Sequence, residues 1–395
     1  MKNDQPIRIG VLFSTSGNTA APERSMLAAT EFAIDEINAA GGINGRELIP
    51  VCYDPMGLPA AYQRLAAKLL AEDKIKIILG CYTSSQRKAV LNTIDREGGL
   101  LFYPVHYEGF EYSENVIYFG AVPNQNSLYL AVYLLEHYSP RLYIVGSDYI
   151  WPRESGRIMK DLICSGGGSV LGQCYLDDNA TEKDFDSLIK EIKKNSPCII
   201  FNNFVGDSNI KFYKAYADNG LDAGRMLVAS LTTSEADLRE IGAAAAGHIT
   251  AATYFASQQN PANTSCIDRY RAARGEEPNA NMCWEAAYAQ TKVVAQAMIN
   301  GSPDNVHSIR SGILGASYNA PQGVIKIDAL NSHCYLWPKI GVARSDGQFD
   351  IVMETACAVR PDPYRRTYSL AIGGEAAPIT HPYGSRFSGV FGISK

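Results

Sequence analysis

The chain has 395 residues, 46% of them apolar and 19% charged, with a formal net charge of -5. That composition excludes wholesale disorder, and the length exceeds what one ordinary core serves, so two lobes of similar size are expected. The acidic balance argues against a broad nucleic-acid-binding face, so any contact with nucleic acid would go through a partner.

Residues 1–6 lead straight into an apolar strand over 7–13, with no leader-like apolar stretch before it and no window of membrane-spanning length after it. Nine cysteines, an odd number without C-x-x-C spacing, argue against a disulfide framework. A cytoplasmic protein is therefore expected; a leader removed before residue 1 is the less simple alternative. A helix over 23–38 carries Met26, Ala29, Phe32, Ala33 and Ile37 at helical spacing and stops at Gly41-Gly42. A strand over 47–53, a helix over 60–71, a strand over 74–79, a helix over 86–95 and a strand over 100–103 follow. This β-α-β-α-β rhythm implies right-handed crossovers and a parallel sheet covered by helices.

The rhythm restarts after Pro123, with helices over 125–137, 153–164, 184–194 and 208–219. Between them lie strands over 141–145, 170–175, 198–204 and 225–230. Helical patterns return at 267–274 and 283–299. After Ala320-Pro321-Gln322-Gly323 the period becomes alternating, which reads as antiparallel strands with a turn at Ser345-Asp346-Gly347. The expected fold is α/β: two doubly wound parallel-sheet lobes joined by a hinge. One lobe takes residues 1–122 with about 254–330, the other 123–253 with about 331–365, and 366–395 form an irregular tail.

Gly80-Cys81-Tyr82-Thr83-Ser84-Ser85 stands at the turn from a buried strand to a helix. That order places backbone N–H groups and a hydroxyl in a crevice at the carboxyl end of a parallel strand, where a small polar solute is held without net charge. Tyr103, Tyr107, Tyr149 and Trp151 follow two further strand candidates, which suggests a tyrosine-lined pocket for a small neutral molecule. Ser84 equally suits an ordinary helix cap, and the tyrosines equally suit core packing. His106 either meets the ligand as a pH-sensitive donor or turns inward to a carbonyl. Glu108 and Asp148 read as locally satisfied turn or helix-start residues in preference to partners for a cationic ligand.

Cys81 has no histidine within several positions and continues a buried strand, so no catalytic nucleophile is expected. The six histidines lack H-x-x-x-H or H-E-x-x-H spacing, so neither a metal nor a cofactor is expected. Gly166-Gly167-Gly168 follows a helix and reads as its stop, not as a phosphate loop.

Several segments resemble type I periplasmic-binding-protein folds: Gly80-Cys81-Tyr82, Arg87-Lys88-Ala89-Val90, Tyr103-Pro104, Tyr107 to Ser113, Pro123 to Ser127 and Gly146-Ser147-Asp148-Tyr149. Pro152 to Ser155, Ala229 to Ala236, Ala320 to Gly323 and Arg360 to Tyr364 continue the resemblance. Within that group the chain looks most similar to amide-sensing negative regulators of aliphatic amidase operons. The resemblance implies a short aliphatic amide held between the lobes. Ser84 and Tyr149 would be polar contacts, Tyr82, Tyr103 and Trp151 aromatic walls, and Thr232 a contact from the second lobe. It also implies release of a transcription antiterminator partner when amide binds, and it is compatible with a homodimer. Val105 and His106 after Tyr103-Pro104 depart from the regulator's threonine and proline. Phe102-Tyr103-Pro104-Val105 instead looks like urea-binding solute receptors of ABC importers, the alternative function. Trp151 in place of a tyrosine is a second departure at the pocket.

Overall fold

The computed structural model describes residues 5–138, 141–196, 198–275, 277–368, 370 and 379–380. In chain order, β1 (Ile7–Leu12), α1 (Ala20–Ala39), β2 (Leu48–Tyr53), α2 (Pro59–Ala67), β3 (Ile77–Gly80), α3 (Ser84–Glu97), β4 (Leu100–Tyr103) and β5 (Val116–Tyr118) come first. Next are α4 (Ser127–His137), β6 (Arg141–Ser147), α5 (Ile150–Ser165), β7 (Ser169–Leu176), α6 (Glu182–Lys193) and β8 (Ile199–Asn203). Then α7 (Asp207–Asp218), β9 (Val228–Ser230), α8 (Glu235–Ile241) and β10 (Ile249–Ala252) follow. The chain continues through α9 (Pro261–Arg274), α10 (Met282–Asn300), α11 (Val306–Ile313), β11 (Ser317–Ala320), β12 (Gly323–Ile327) and β13 (Cys334–Tyr335). It ends in β14 (Lys339–Ala343), β15 (Phe349–Thr355) and the short β16 (Ile379–Thr380). Apart from β16, the expected irregular tail beyond 370 lies outside the described residues.

Two compact units result. Lobe 1 comprises Met1–Tyr107, Glu111–Gly120 and Gln259–Tyr335, and lobe 2 comprises Glu108–Phe110, Ala121–Gln258 and Leu336–Lys395. The lobe 1 sheet has the order β2-β1-β3-β4-β5, with every pair parallel. β1, β3, β4 and β5 are almost wholly buried, which is why they read as unbroken apolar runs. α10 is buried around most of its circumference and packs beside α1, where Tyr288 stacks on Phe32 at 5.7 Å and on Trp284 at 5.8 Å. Burying a side chain such as Phe32 contributes about 1.5–3 kcal/mol. β11, β12 and β13 form a separate antiparallel sheet in lobe 1, as the alternating pattern predicts.

The lobe 2 sheet runs β16-β15-β14-β10-β9-β8-β6-β7. Its β6 to β10 part is parallel, and β14, β15 and β16 join antiparallel. The β14–β15 hairpin turns at the expected place, with Gly347 at φ 80°. β5 and β10 escape the sequence reading because runs of three and four residues carry too little pattern.

Candidate functional site

The parallel registers Leu12↔Gly80, Leu79↔Phe102 and Tyr103↔Tyr118 bring the carboxyl ends of β1, β3, β4 and β5 into line in lobe 1. At β3 the backbone must turn sharply. A Cβ on Gly80 would lie 2.5 Å from the Leu12 carbonyl oxygen, so only glycine fits. Cys81 then takes φ 68° while its N–H donates to Leu12 O, which directs Tyr82 and Thr83 into the opening turn of α3.

The N-cap of α3 is Thr83, and Ser84 is the first helical residue. Thr83 Oγ1 accepts the Gln86 N–H, and Gln86 Oε1 accepts the N–H groups of Tyr82 (2.9 Å) and Thr83 (2.8 Å). The alternative that Ser84 is the cap is therefore corrected: Thr83-Ser84-Ser85-Gln86 completes a capping box only from Thr83. Ser84 Oγ instead accepts a hydrogen bond from Arg87 Nη1 at 3.2 Å. Tyr103 is fully buried, and its hydroxyl donates to Tyr82 O at 2.7 Å, so it braces the loop that carries Tyr82.

Val105 and His106 sit in the buried segment after β4. That segment passes directly against Gly120, where a Cβ would meet the Val105 carbonyl carbon at 2.0 Å. Burial lowers the His106 pKa to about 4, which favours the neutral ring, still able to donate through its N–H.

Under Ser84 lies a group that the sequence reading quoted but gave no role. Arg87, fully buried, donates to Glu111 through Nε (2.7 Å) and Nη2 (3.2 Å). Its guanidinium lies 4.6 Å from the Tyr103 ring centroid and 4.4 Å from that of Tyr107. Tyr118 Oη donates to Glu111 Oε1 at 2.8 Å, and Lys88 Nζ approaches Oε2 at 3.2 Å. Burial opposes ionisation of Glu111, but the Arg87 charge overrides it and holds the carboxyl at about 2. Tyr118 stacks on His333 at 4.2 Å, while Tyr107 Oη and His333 Nε2 are 2.6 Å apart. A signal existed: Arg87, Val90 and Ile94 share one buried face of α3, an unusual place for arginine.

Beside this group, the buried Glu23 accepts from Ser14 N–H (2.6 Å), Thr19 Oγ1 (2.5 Å) and Tyr62 Oη. Burial pushes its carboxyl up to about 7 against those bonds. Cys81, fully buried, has its thiol pushed far up by burial and further by Glu23, which leaves it inert as a nucleophile.

In lobe 2, Tyr149 immediately precedes α5 and Trp151 is buried in its first turn. Asp148 pairs with Arg153 at 2.6 Å, and this hydrogen bond lowers its pKa, in line with a locally satisfied residue. Thr232 follows β9. Its Oγ1 donates to Phe204 O at 3.0 Å, and its N–H donates to Ser230 Oγ, also at 3.0 Å. Ser234 and Asp237 cap α8, and Glu235 at its first position is buried, accepting the Ala256 N–H at 2.7 Å. Burial pushes the Glu235 carboxyl up to about 8. Ser84, Tyr82, Tyr103, Val105 and His106 thus cluster at the strand ends of lobe 1, whereas Tyr149, Trp151 and Thr232 occupy those of lobe 2. Among the described residues no cluster of three His, Cys, Asp or Glu side chains could hold a metal ion, and no helix is long and apolar enough to cross a membrane.

Two doubly wound α/β lobes with polar and aromatic groups at their strand ends define a class of small-molecule-binding proteins. A family model described as a periplasmic binding protein domain matches residues 7–370, and the chain belongs to that family. Its relatives include the leucine-, isoleucine-, valine-, threonine- and alanine-binding protein of Pseudomonas aeruginosa, 23% identical over 82% of this chain and 86% of the relative. Another is the leucine-specific-binding protein of Salmonella typhimurium, 24% identical over 74% of this chain and 78% of the relative. Among solved structures, an R. palustris ABC-transporter solute-binding protein in complex with 4-hydroxybenzoate has a TM-score of 0.80 and 22% identity. It covers 88% of this chain and 95% of its own. A Streptococcus pneumoniae branched-chain amino acid binding protein in complex with isoleucine has a TM-score of 0.78 and 18% identity, over 88% of this chain and 99% of its own.

The chain is accordingly a ligand-binding protein and not an enzyme. These relatives are binding proteins for amino acids and a benzoate, so the resemblance holds at the level of the family; they lend no support to an amidase regulator or an antiterminator partner. The cytoplasmic expectation is overturned by the same family match, to periplasmic binding proteins. It rested on where the sequence begins, which fixes no compartment, and on cysteine usage. Five of the nine cysteines are buried as small core hydrophobes, a role indifferent to redox surroundings.

Proposed function

We propose that the chain is the solute-binding component of an ABC importer and that its solute is a small uncharged molecule with a carbonyl oxygen, of the acetamide or urea type. One observation carries the ligand class: several of the charged groups near the strand ends are compensated or suppressed. Arg87 is matched by Glu111, Asp148 by Arg153, His106 is held neutral, and the Glu235 carboxyl is pushed up to about 8. A fixed amino-acid zwitterion would call for uncompensated partners of both signs, because buried unpaired charge is costly. Hydroxyl and N–H groups suit a carbonyl, each neutral hydrogen bond contributing about 0.5–1.5 kcal/mol net. Ser84 and Tyr149 would supply polar contacts, Thr232 a hydroxyl from lobe 2, and Tyr82, Tyr103, Val105, His106 and Trp151 the walls.

Calorimetric titration with acetamide, propionamide, urea, leucine and 4-hydroxybenzoate tests this reading. Binding of an amide or urea, at least tenfold tighter than leucine or 4-hydroxybenzoate, is expected. Tighter binding of either carboxylate would overturn the ligand class and leave the importer assignment standing.

A further inference from the structure

We propose that Glu23 is the inner fastener of the loops that follow β1 and β2, and that it lets them loosen when its carboxyl ionises. The inference goes beyond the proposed function and holds whatever the solute is. Four segments of lobe 1 meet at this side chain. Glu23 lies in the first turn of α1 and takes the N–H of Ser14 after β1, the hydroxyl of Thr19 at the α1 N-cap and the hydroxyl of Tyr62 on α2. Ser14 Oγ lies 3.0 Å from Tyr62 Oη and accepts the N–H of Gly57, in the loop after β2, at 2.8 Å. The two loops run close together here, since a Cβ on Gly17 would lie 2.4 Å from the Met56 carbonyl oxygen. On the outside, Asp54 ties the same loops by accepting from the hydroxyls of Thr15 (2.7 Å) and Ser16 (2.8 Å).

The two ties differ in their surroundings. Asp54 is exposed; its slight burial opposes ionisation, but hydrogen bonds from Thr15, Met56 and Ser16 hold the carboxyl below its usual range. Glu23 is fully enclosed and, unlike Glu111 with Arg87, has no cationic partner among the described residues. The titratable groups that face it are Tyr62 from α2 and Cys81 after β3. Burial, and then the Glu23 charge, raise both of their pKa values, so both stay protonated and supply no positive charge. The Arg87 and Glu111 charges that also reach Cys81 act on it in opposite directions. Arg24, the next residue of α1, is exposed and donates to Thr15 O at 3.1 Å. An ionised Glu23 is therefore a buried charge without a counter-charge, and opening the loops lets water reach it. Two of its three donors are hydroxyls that can turn to accept, so the same cluster also holds the protonated carboxyl. Burial pushes that carboxyl up to about 7 against its hydrogen bonds, whereas a hydrated carboxyl gives up its proton from about 4.5. Opening accordingly becomes easier as pH rises between these values and levels off above about 7.

Amide hydrogen exchange of the unliganded protein at pH 6 and pH 8.5, corrected for the intrinsic rate, tests this. Peptides carrying the Ser14 and Gly57 amides should lose protection roughly tenfold between the two conditions, the ratio that linkage gives for about 7 against about 4.5. In E23Q, which cannot ionise, the step should vanish. In E235Q, which removes the raised carboxyl of lobe 2, it should remain, because the opening is local. If E23Q does not fold, Y62F replaces it: the ionised carboxyl then lacks one donor, so the step should move to higher pH. No step in the wild type, a step that survives in E23Q or stays in place in Y62F, or a step lost in E235Q would each overturn the inference. None of these outcomes bears on solute binding, so its failure is separate from that of the proposed function.

Discussion

The strand ends of the two lobes reach similar geometry by different electrostatics. Lobe 1 places a buried ion pair, Arg87 with Glu111, under the first turn of α3 and packs it between aromatic rings. Lobe 2 relies on hydroxyl and amide bonds that end on a single carboxyl: Ser230 Oγ accepts from Thr232 and Thr233, Asn202 Nδ2 donates to Asn209 Oδ1 at 2.8 Å, and Asn209 Nδ2 donates to Asp237 Oδ1 at 3.1 Å. A buried ion pair resists a change of hydrogen-bond direction but is unforgiving when one partner is lost. Neutral hydroxyl and amide networks reorient readily and fail gently. Lobe 1 thereby depends more heavily on one pair than lobe 2 does on any single bond.

The sharpest way to break this comparison is R87M alone, which strands the Glu111 carboxylate. A loss of about 3–5 kcal/mol in guanidinium chloride unfolding is expected, most of it recovered in R87M/E111Q. A loss under about 1 kcal/mol would show that the pair is not the rigid element of lobe 1.

Next in size is the response to pH. Glu235 at about 8 and Glu23 at about 7 hold protons in the folded state that the unfolded chain gives up from about 4.5. Stability therefore falls as pH rises through that window, by on the order of a few kcal/mol. Glu111, at about 2, runs the other way: its contribution is present above 4.5 and is lost as pH falls toward 2. Unfolding free energies at pH 5 and pH 8 should differ less in E235Q, which acts in lobe 2, and in E23Q, which acts in lobe 1. An unchanged difference in both variants would sink the assignment.

Within lobe 2, N209A removes a partner of Asn202 and of the buried Asp237 carboxyl and should cost about 1–3 kcal/mol. A cost matching that of R87M would erase the contrast between the lobes. Smallest of all, T83A and S234A each delete a helix cap and should each cost about 1 kcal/mol. Thr83 Oγ1 accepts the Gln86 N–H whereas the Ser234 hydroxyl donates to Asp237, so T83A should cost at least as much as S234A. Ligand affinity should respond to T83A more than its stability cost suggests, since Thr83 sets the position of Ser84.

The fold was legible because parallel strands buried on both faces, such as β3 and β4, leave continuous apolar runs, and amphipathic helices lie between them. The hairpin at Gly347 was legible from its turn residues. The site was legible in part. Gly80 and the serine-rich helix start signalled a strand-end crevice, yet which hydroxyl caps α3 depends on Gln86 completing a box with Thr83 and not with Ser84. The Arg87–Glu111 pair joins residues 24 positions apart, and nothing local announces such pairing. The neutrality of His106 and the raised Glu235 follow from burial, which is a property of the assembled chain. Compartment was misread because the start of the sequence and the packing of its cysteines were both taken as signals of location, which neither is.

One thiol offers a practical gauge of the Tyr82–Ser84 bend. Cys81 is wholly enclosed at its root and strongly disfavours the thiolate, so alkylating reagents should reach it only during transient openings. Its labelling rate, followed by mass spectrometry at that peptide, would act as a stopwatch on local breathing. Any solute that quiets this bend should slow the clock in proportion to its occupancy.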